Sequence, residues 1–235
     1  TKNIITMFKE DLHGLKKYNL NDVMLVKRLE DKFWLIKLKI DLCLKSGIFL
    51  GNAFRTHIID FLALREGGKQ NIHFQSTYEI KMGDEVWGGL ILKSKTGYFK
   101  DISEFDYKAL YPNIIRTFNI SPETLRNYQE KNSIIALNRI DMKGSEDREI
   151  KQFFFSALKQ GVFPKICADV LEDREKYEKL KLNAETKEIA DILNRKENIV
   201  KVIANASYGQ LINPRWRYYN DKIGISVRWV GRFIL

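Results

Sequence analysis

Apolar residues at Val23, Val26, Leu29, Phe33, Ile36, Ile40 and Leu44 recur every three or four positions. That is the spacing of one helix face, and it predicts a single amphipathic helix over residues 18–45. Gly47 and Gly51 close it. A second helical pattern runs from Phe54 to Leu64 and stops at Glu66-Gly67-Gly68, which reads as a loop or domain joint. The pattern then shortens: Val86–Leu92, containing Trp87-Gly88-Gly89, and the partly alternating Tyr98–Phe105 predict two strands, separated by Lys93–Gly97. Ser121-Pro122-Glu123 predicts a helix start, with serine at the cap and proline where no N–H is needed. Residues 131–145 are polar and predict an irregular segment, and 149–159 a helix that Gly161-Val162-Phe163-Pro164 breaks. Two long helical patterns follow, Ile166–Leu182 and Glu185–Leu211, with Asn183 and Asn194 as turn or kink residues and Asn213-Pro214 as the stop. The aromatic cluster Trp216, Tyr218 and Tyr219 leads into a last apolar stretch, Ile223–Leu235.

Composition adds a class of partner. The 235 residues are 44% hydrophobic and 30% charged, an ordinary balance for a chain with a buried core, and their net charge of +10 favours a polyanion. Cys43 and Cys167 stand far apart and away from histidine, so neither a disulfide framework nor a zinc site is suggested, and a reducing, cytoplasmic setting fits. His13, His57 and His73 stand singly and are assigned no chemistry. No run reaches the ~20 apolar residues of a membrane span, and the start resembles no signal peptide. Without an initiating Met, the chain reads as beginning inside a longer protein.

Three constellations carry candidate chemistry. Asp106 follows the strand-like 98–105 run, where a carboxylate on a rigid element can hold a divalent metal, although an aspartate there is more commonly a turn former or helix cap. Lys201, Asn205 and Tyr208 share one helix face, so a cation, an amide and an aromatic ring can meet one ligand, and Gly209 beside them admits a close backbone approach. A reversal near Lys187 would pair the two long helices and set Arg174 beside Lys201 as a cationic clamp. At the other end Tyr18 and Asp22, four apart, place a phenol and a carboxylate on one helix face, suited to orienting a water and a metal for hydrolysis.

The stretch Asp106-Tyr-Lys-Ala-Leu110-Tyr111-Pro112-Asn-Ile-Ile resembles the first palm motif of family B DNA polymerases, Asp-x-x-Ser-Leu-Tyr-Pro-Ser-Ile-Ile, and Asn119-Ile-Ser-Pro-Glu-Thr124 is most similar to the T-even bacteriophage branch of that family. Lys201-x-x-x-Asn205-x-x-Tyr208-Gly209 resembles the family's second motif, and Tyr18-x-x-x-Asp22 the third motif of its proofreading 3′–5′ exonuclease. The resemblance implies an α+β fold: the end of the exonuclease domain at 1–46, a connecting segment at 47–80, the first part of the palm at 81–160, helical-hairpin fingers at 161–213, and a return into the palm at 214–235. It implies that Asp106 binds two Mg²⁺ ions, that the backbone at Leu110 cradles a dNTP triphosphate, and that Tyr111 packs beneath the sugar. Arg174 and Lys201 would bind the triphosphate with Asn205 beside it, Tyr208 and Gly209 would pack on the nascent base pair, and Tyr18 with Asp22 would serve an exonuclease site using Mg²⁺ or Mn²⁺. Trp87-Gly88-Gly89 falls where the family has a loop beside the template strand, with a plain β-turn as the alternative. Ala109 and Asn113 replace the family's two serines, and Glu178 stands where it usually has a second fingers lysine, with Lys176 and Lys179 as neighbours.

The implied partners are primer–template DNA, dNTP and a sliding clamp, in a bacterial cytoplasm if the source is a phage. The family's Asp-Thr-Asp-Ser hairpin is absent from the 235 residues, so the chain by itself is expected neither to polymerise nor to proofread. The alternatives are one chain of a split polymerase, joined through an exposed apolar face at Ile223–Leu235, and a non-catalytic DNA-binding remnant.

Overall fold

The computed structural model describes residues 4–52, 55–76, 96–140 and 149–234. The strand expected at 86–92 and the Trp87-Gly88-Gly89 loop lie outside them. The chain opens with α1 (Ile4–Glu10), α2 (Leu12–Phe33) and α3 (Leu35–Ser46). The single helix expected at 18–45 is therefore two, because Trp34 takes a left-handed conformation at φ 52°. The break is stabilised on both sides: Trp34 N–H donates to the Glu30 carbonyl at 2.7 Å, and the Glu30 carboxylate accepts from Ile36 N–H at 2.8 Å, capping α3. The expected apolar face faces solvent, with Val26 66% and Leu44 77% exposed, while α3 buries Leu42, Cys43 and Ser46 instead. Two ion pairs fasten α3 to the long helices downstream, Lys45–Asp173 and Arg195–Asp41, the latter at 3.0 Å.

Helix α4 (Arg55–Lys69) continues through Gly67-Gly68 rather than ending there. Gly67 is required by packing: a Cβ would lie 2.8 Å from the Phe74 ring and 3.1 Å from the Ile72 carbonyl. The strand expected at Tyr98–Phe105 does not form. The segment is exposed, Phe105 to 92%, and pairs with no strand among the described residues. Helix α5 (Leu110–Thr117) follows.

Ser121-Pro122-Glu123 starts a turn, not a helix, and leads into β1 (Leu125–Arg126). The segments expected to be irregular and helical form β2 (Ser133–Ile140) and β3 (Glu149–Ser156), paired antiparallel from Ser133↔Ser156 to Ile140↔Glu149, with β1 on the other edge of β3. The physical reason is a period of two: Phe153 and Phe155 are buried while Phe154 between them is not, and aromatic runs favour strands.

The two long helices appear where expected, as α6 (Val162–Leu182) and α7 (Lys187–Ile212), packed side by side across a turn at 183–186. The residues of Asn119–Thr124 cap α6 from outside. Asn119 Oδ1 accepts from Gly161 N–H at 2.8 Å, the Glu123 carboxylate from Val162 N–H at 2.6 Å, and Ser121 Oγ from Phe163 N–H at 3.3 Å. These side chains satisfy donors at the start of a distant helix, which is why they begin no helix of their own. Gly161 is obligatory here, since a Cβ would stand 2.8 Å from that of Ser121.

After α7, Tyr218 is fully buried between Phe74 and Phe163, its hydroxyl donating to the Asp60 carbonyl at 3.1 Å, while Arg217 pairs with the buried Asp60 carboxylate at 3.0 Å. Helix α8 (Asp221–Ile234) packs against α5, α7 and β2, and Asp221 is its first residue. The apolar face expected to be an exposed interface is buried within the chain through Ile223, Val227 and Val230.

Candidate active site

Helix α5 begins with a strained residue. Ala109 sits in the left-handed region at φ 52°, where a non-glycine residue is uncommon. Asn113 holds the turn, its side-chain amide donating to the carbonyls of Lys108 at 3.0 Å and Ala109 at 3.2 Å. Among the described residues no side chain caps this helix end, and the first backbone N–H groups, those of Leu110 and Tyr111, have no partner inside the helix. Pro112 at the third position has no N–H to leave unmet. The turn therefore presents two backbone donors and the positive end of a helix dipole.

These donors open into a cleft of about 640 Å³ lined by residues 106–112, Arg174, Lys201, Asn205 and Tyr208. The structure thus brings together Asp106, Leu110, Tyr111, Arg174, Lys201, Asn205 and Tyr208, seven residues singled out from two motifs and one helix. Three elements deliver them: the segment leading into α5, then α6, then α7. Asp106, Lys201 and Asn205 are solvent-exposed, so a ligand can reach them.

The aromatic floor is a pair. The rings of Tyr111 and Tyr208 lie 4.5 Å apart between centroids at 49°. The Tyr208 hydroxyl is buried without a hydrogen-bond partner among the described residues, and burial pushes its pKa up to about 12, so it is neutral at physiological pH. Gly231 of α8 backs this floor, for a Cβ there would meet the Tyr111 ring at 3.3 Å. Gly209 faces open space, with nothing within 4 Å of an added Cβ, so no contact within the described residues requires glycine there. Ser207 points away from the cleft, donating to the Ile203 carbonyl at 3.0 Å beside the buried Cys167, whose thiol burial pushes up to about 12.

The cationic side is structured by two acids. Arg174 lies 3.2 Å from Glu178 one turn on and 3.9 Å from Glu197 across the hairpin, while Lys181 also pairs with Glu197. Glu178 in addition pairs with Lys108, and that hydrogen bond is the main reason its carboxyl sits below the usual range. Lys201 makes no ion pair among the described residues. Lys108 and α8 were not identified from sequence as parts of the site. Lys108 lies inside the Asp106 motif, two residues on, which was the available signal; α8 gave none, because only packing brings Gly231 under Tyr111.

Among the described residues Asp106 is the only carboxylate lining the cleft, and it pairs with no cation. As one exposed carboxylate it would supply one ligand to a Mg²⁺, an ion commonly held by one or two carboxylates together with substrate phosphates. Tyr18 and Asp22 share a face of α2 as expected but are exposed on a helix that buries no residue. Among the described residues no group of three or more His, Cys, Asp or Glu stands together to hold a metal, around Asp22 or around Asp106. Gly88 and Gly89 lie outside the described residues.

The comparisons with known proteins bear on family and fold. DNA polymerase 1 of Pyrococcus abyssi is 22% identical over 227 residues, covering 94% of this chain, and the DNA polymerase delta catalytic subunit of Candida albicans is 28% identical over 207 residues, covering 86%. The chain spans only 28% and 20% of those two proteins. The solved family B DNA polymerase of Pyrobaculum calidifontis shares the fold at a TM-score of 0.72 with 23% identity, over 94% of this chain and 28% of that one. The model of DNA polymerase family B matches residues 48–235, a span that contains every residue lining the cleft, and the chain belongs to that family.

Proposed function

We propose that the cleft binds an incoming deoxynucleoside triphosphate and that, within a complete polymerase, it serves template-directed transfer of the deoxynucleotide to a primer 3′-OH during DNA replication. The observation that carries this reading is the convergence of Arg174, Lys201 and the uncapped N-terminus of α5 on one cleft floored by Tyr111 and Tyr208. A triphosphate needs several donors and positive charge at once, and backbone N–H groups of a helix start together with Arg and Lys supply both. Tyr111 is the surface beneath the sugar, and Tyr208 with Gly209 meets the nascent base pair. Mg²⁺ bound by Asp106 and the phosphates would neutralise charge on the transferring group. The net charge of +10 suits primer–template DNA, whose phosphates release counterions on binding.

The family's two-metal reaction needs carboxylates besides Asp106, so the part proposed for the cleft of these 235 residues is to hold the nucleotide and one metal ligand. On the same reading Tyr18 and Asp22 are one helix's share of a proofreading site that other carboxylates complete. The Asn119–Thr124 segment supports a phage polymerase of T-even type, working in a bacterial cytoplasm.

The test is calorimetric titration of the chain with a dNTP in the presence of Mg²⁺, with the deoxynucleoside as comparison. The triphosphate binds more tightly than the nucleoside, and Lys201→Gln or Arg174→Gln each weakens it roughly tenfold or more, the cost of one charge-assisted hydrogen bond. Equal affinity for nucleoside and triphosphate, or indifference to both substitutions, sinks the reading.

A further inference from the structure

We infer that Lys108 is a third triphosphate-binding cation of the cleft, held in readiness by Glu178, which exchanges it to the nucleotide's phosphates. The inference rests on the triphosphate reading of the same cleft and adds to it a residue and a mechanism of delivery.

Four observations carry it. Lys108 lines the same cleft as Arg174 of α6, so a phosphate chain held by Arg174 comes within reach of Lys108 as well. Its backbone is fixed, because the Lys108 carbonyl accepts from the Asn113 amide at 3.0 Å while the next residue, Ala109, turns the chain through the left-handed region. Its ammonium is paired with Glu178, the same carboxylate that lies 3.2 Å from Arg174. One acid thus ties together two cleft-lining cations from two different elements.

The pair is also weak enough to exchange. The Lys108 side chain is 52% exposed and that of Glu178 29%. Pairs so accessible contribute little against water and salt. A polyphosphate offers an ammonium more charge than one carboxylate does, so Lys108 gains by transferring. Arg174 does not lose its support when this happens, since Glu197 remains on its other side at 3.9 Å. Glu178 therefore positions both cations in the empty cleft and competes with the nucleotide's phosphates for the Lys108 ammonium. No covalent step is involved.

A thermodynamic cycle on dNTP affinity, measured with Mg²⁺ on the full chain, tests this. Lys108→Gln weakens binding about tenfold. Glu178→Gln, which frees Lys108 and leaves Arg174 beside Glu197, tightens it about threefold to tenfold, and this gain disappears in the Lys108→Gln background. Glu178→Lys in the Lys108→Gln background restores most of the lost affinity by returning a cation beside Arg174. The deoxynucleoside, lacking phosphates, binds all of these variants alike. If Lys108→Gln leaves the Kd within twofold while Lys201→Gln still weakens it, the triphosphate reading stands and the role of Lys108 falls. A gain from Glu178→Gln that persists without Lys108 likewise assigns the exchange to Arg174 and overturns the inference. If Lys201→Gln and Arg174→Gln are also both without effect, the triphosphate reading itself fails and takes this inference with it.

Discussion

Asp22 and Asp106 enter the sequence on similar terms, each a carboxylate a few residues from a tyrosine, each matching a short motif. In the folded chain they diverge. Asp106 stands at the edge of a cleft to which α6 and α7 also contribute, over an aromatic floor that α8 supports. Asp22 stands on a helix that buries nothing, with its neighbours Val23 and Val26 59% and 66% exposed. Correct spacing on one element supplies at most two groups, whereas a site needs elements distant in sequence to be locked at a common point. What separates the two regions is the locking, and it can be attacked directly.

The strongest lock is Asn119. Its amide donates to the carbonyls of Ser156 at 2.6 Å and Lys159 at 2.9 Å, and its oxygen accepts from Gly161 N–H, so one side chain joins the end of α5, the end of β3 and the start of α6. Asn119 also takes a left-handed conformation at φ 51°, which asparagine tolerates better than alanine. Asn119→Ala leaves buried backbone groups unmet and should cost about 3 kcal/mol of stability, a fall in Tm on the order of 10 °C for a chain of this size. Asn183→Ala, which removes a single exposed bond to the Lys179 carbonyl, is the control and should cost only a few tenths of a kcal/mol. Similar losses for the two would show that α6 is positioned by its packing alone.

The same contrast explains what could be read from the sequence. The α6–α7 hairpin and the face shared by Lys201, Asn205 and Tyr208 were legible because a helical period repeats over many turns and a motif fixes the register. The Asn119–Thr124 segment was misread because Ser-Pro-Glu has the composition of a helix cap but caps a helix some forty residues away. The strands at 133–140 and 149–156 were missed because their hydrogen bonds are made to each other, and residues such as Ser133, Asn138 and Lys151 look like loop until the partner strand is known. At 18–45 the period was read correctly, yet the apolar face it defined is not the one α3 buries, since periodicity cannot say which side of a helix meets the rest of the chain.

Tyr208 offers a smaller lever on the locked side. Its hydroxyl is buried without a partner, so Tyr208→Phe should be neutral to stabilising by up to about 1 kcal/mol. The pH dependence sharpens this. Burial raises the folded-state pKa to about 12 from an ordinary 10.0, so the protonated form is favoured by folding. The contribution is complete below pH 10, where both states are protonated, and is lost as pH rises towards 12 and the unfolded chain ionises first. Between these values the Tm of the wild type should fall more steeply than that of the Phe variant. Parallel curves would mean that the hydroxyl is solvated and that the aromatic floor is looser than its 4.5 Å ring contact implies.

The smallest effect belongs to the unlocked region. Asp22 makes no bond that its removal would leave unmet among the described residues, and Tyr18 is 49% exposed, so Asp22→Ala and Tyr18→Phe should each change stability by less than about 0.5 kcal/mol and leave dNTP affinity unchanged. Such a result has content because a parallel change on the locked side does not share it: Val200→Ala, at a valine that is fully buried on α7, should cost on the order of 1–3 kcal/mol. Denaturant titration of the three variants compares them on one scale. A loss above 1 kcal/mol from Asp22→Ala would mean that α2 is held by contacts through its carboxylate face, and the distinction between a motif placed on one helix and a site assembled from several would no longer separate the two ends of this chain.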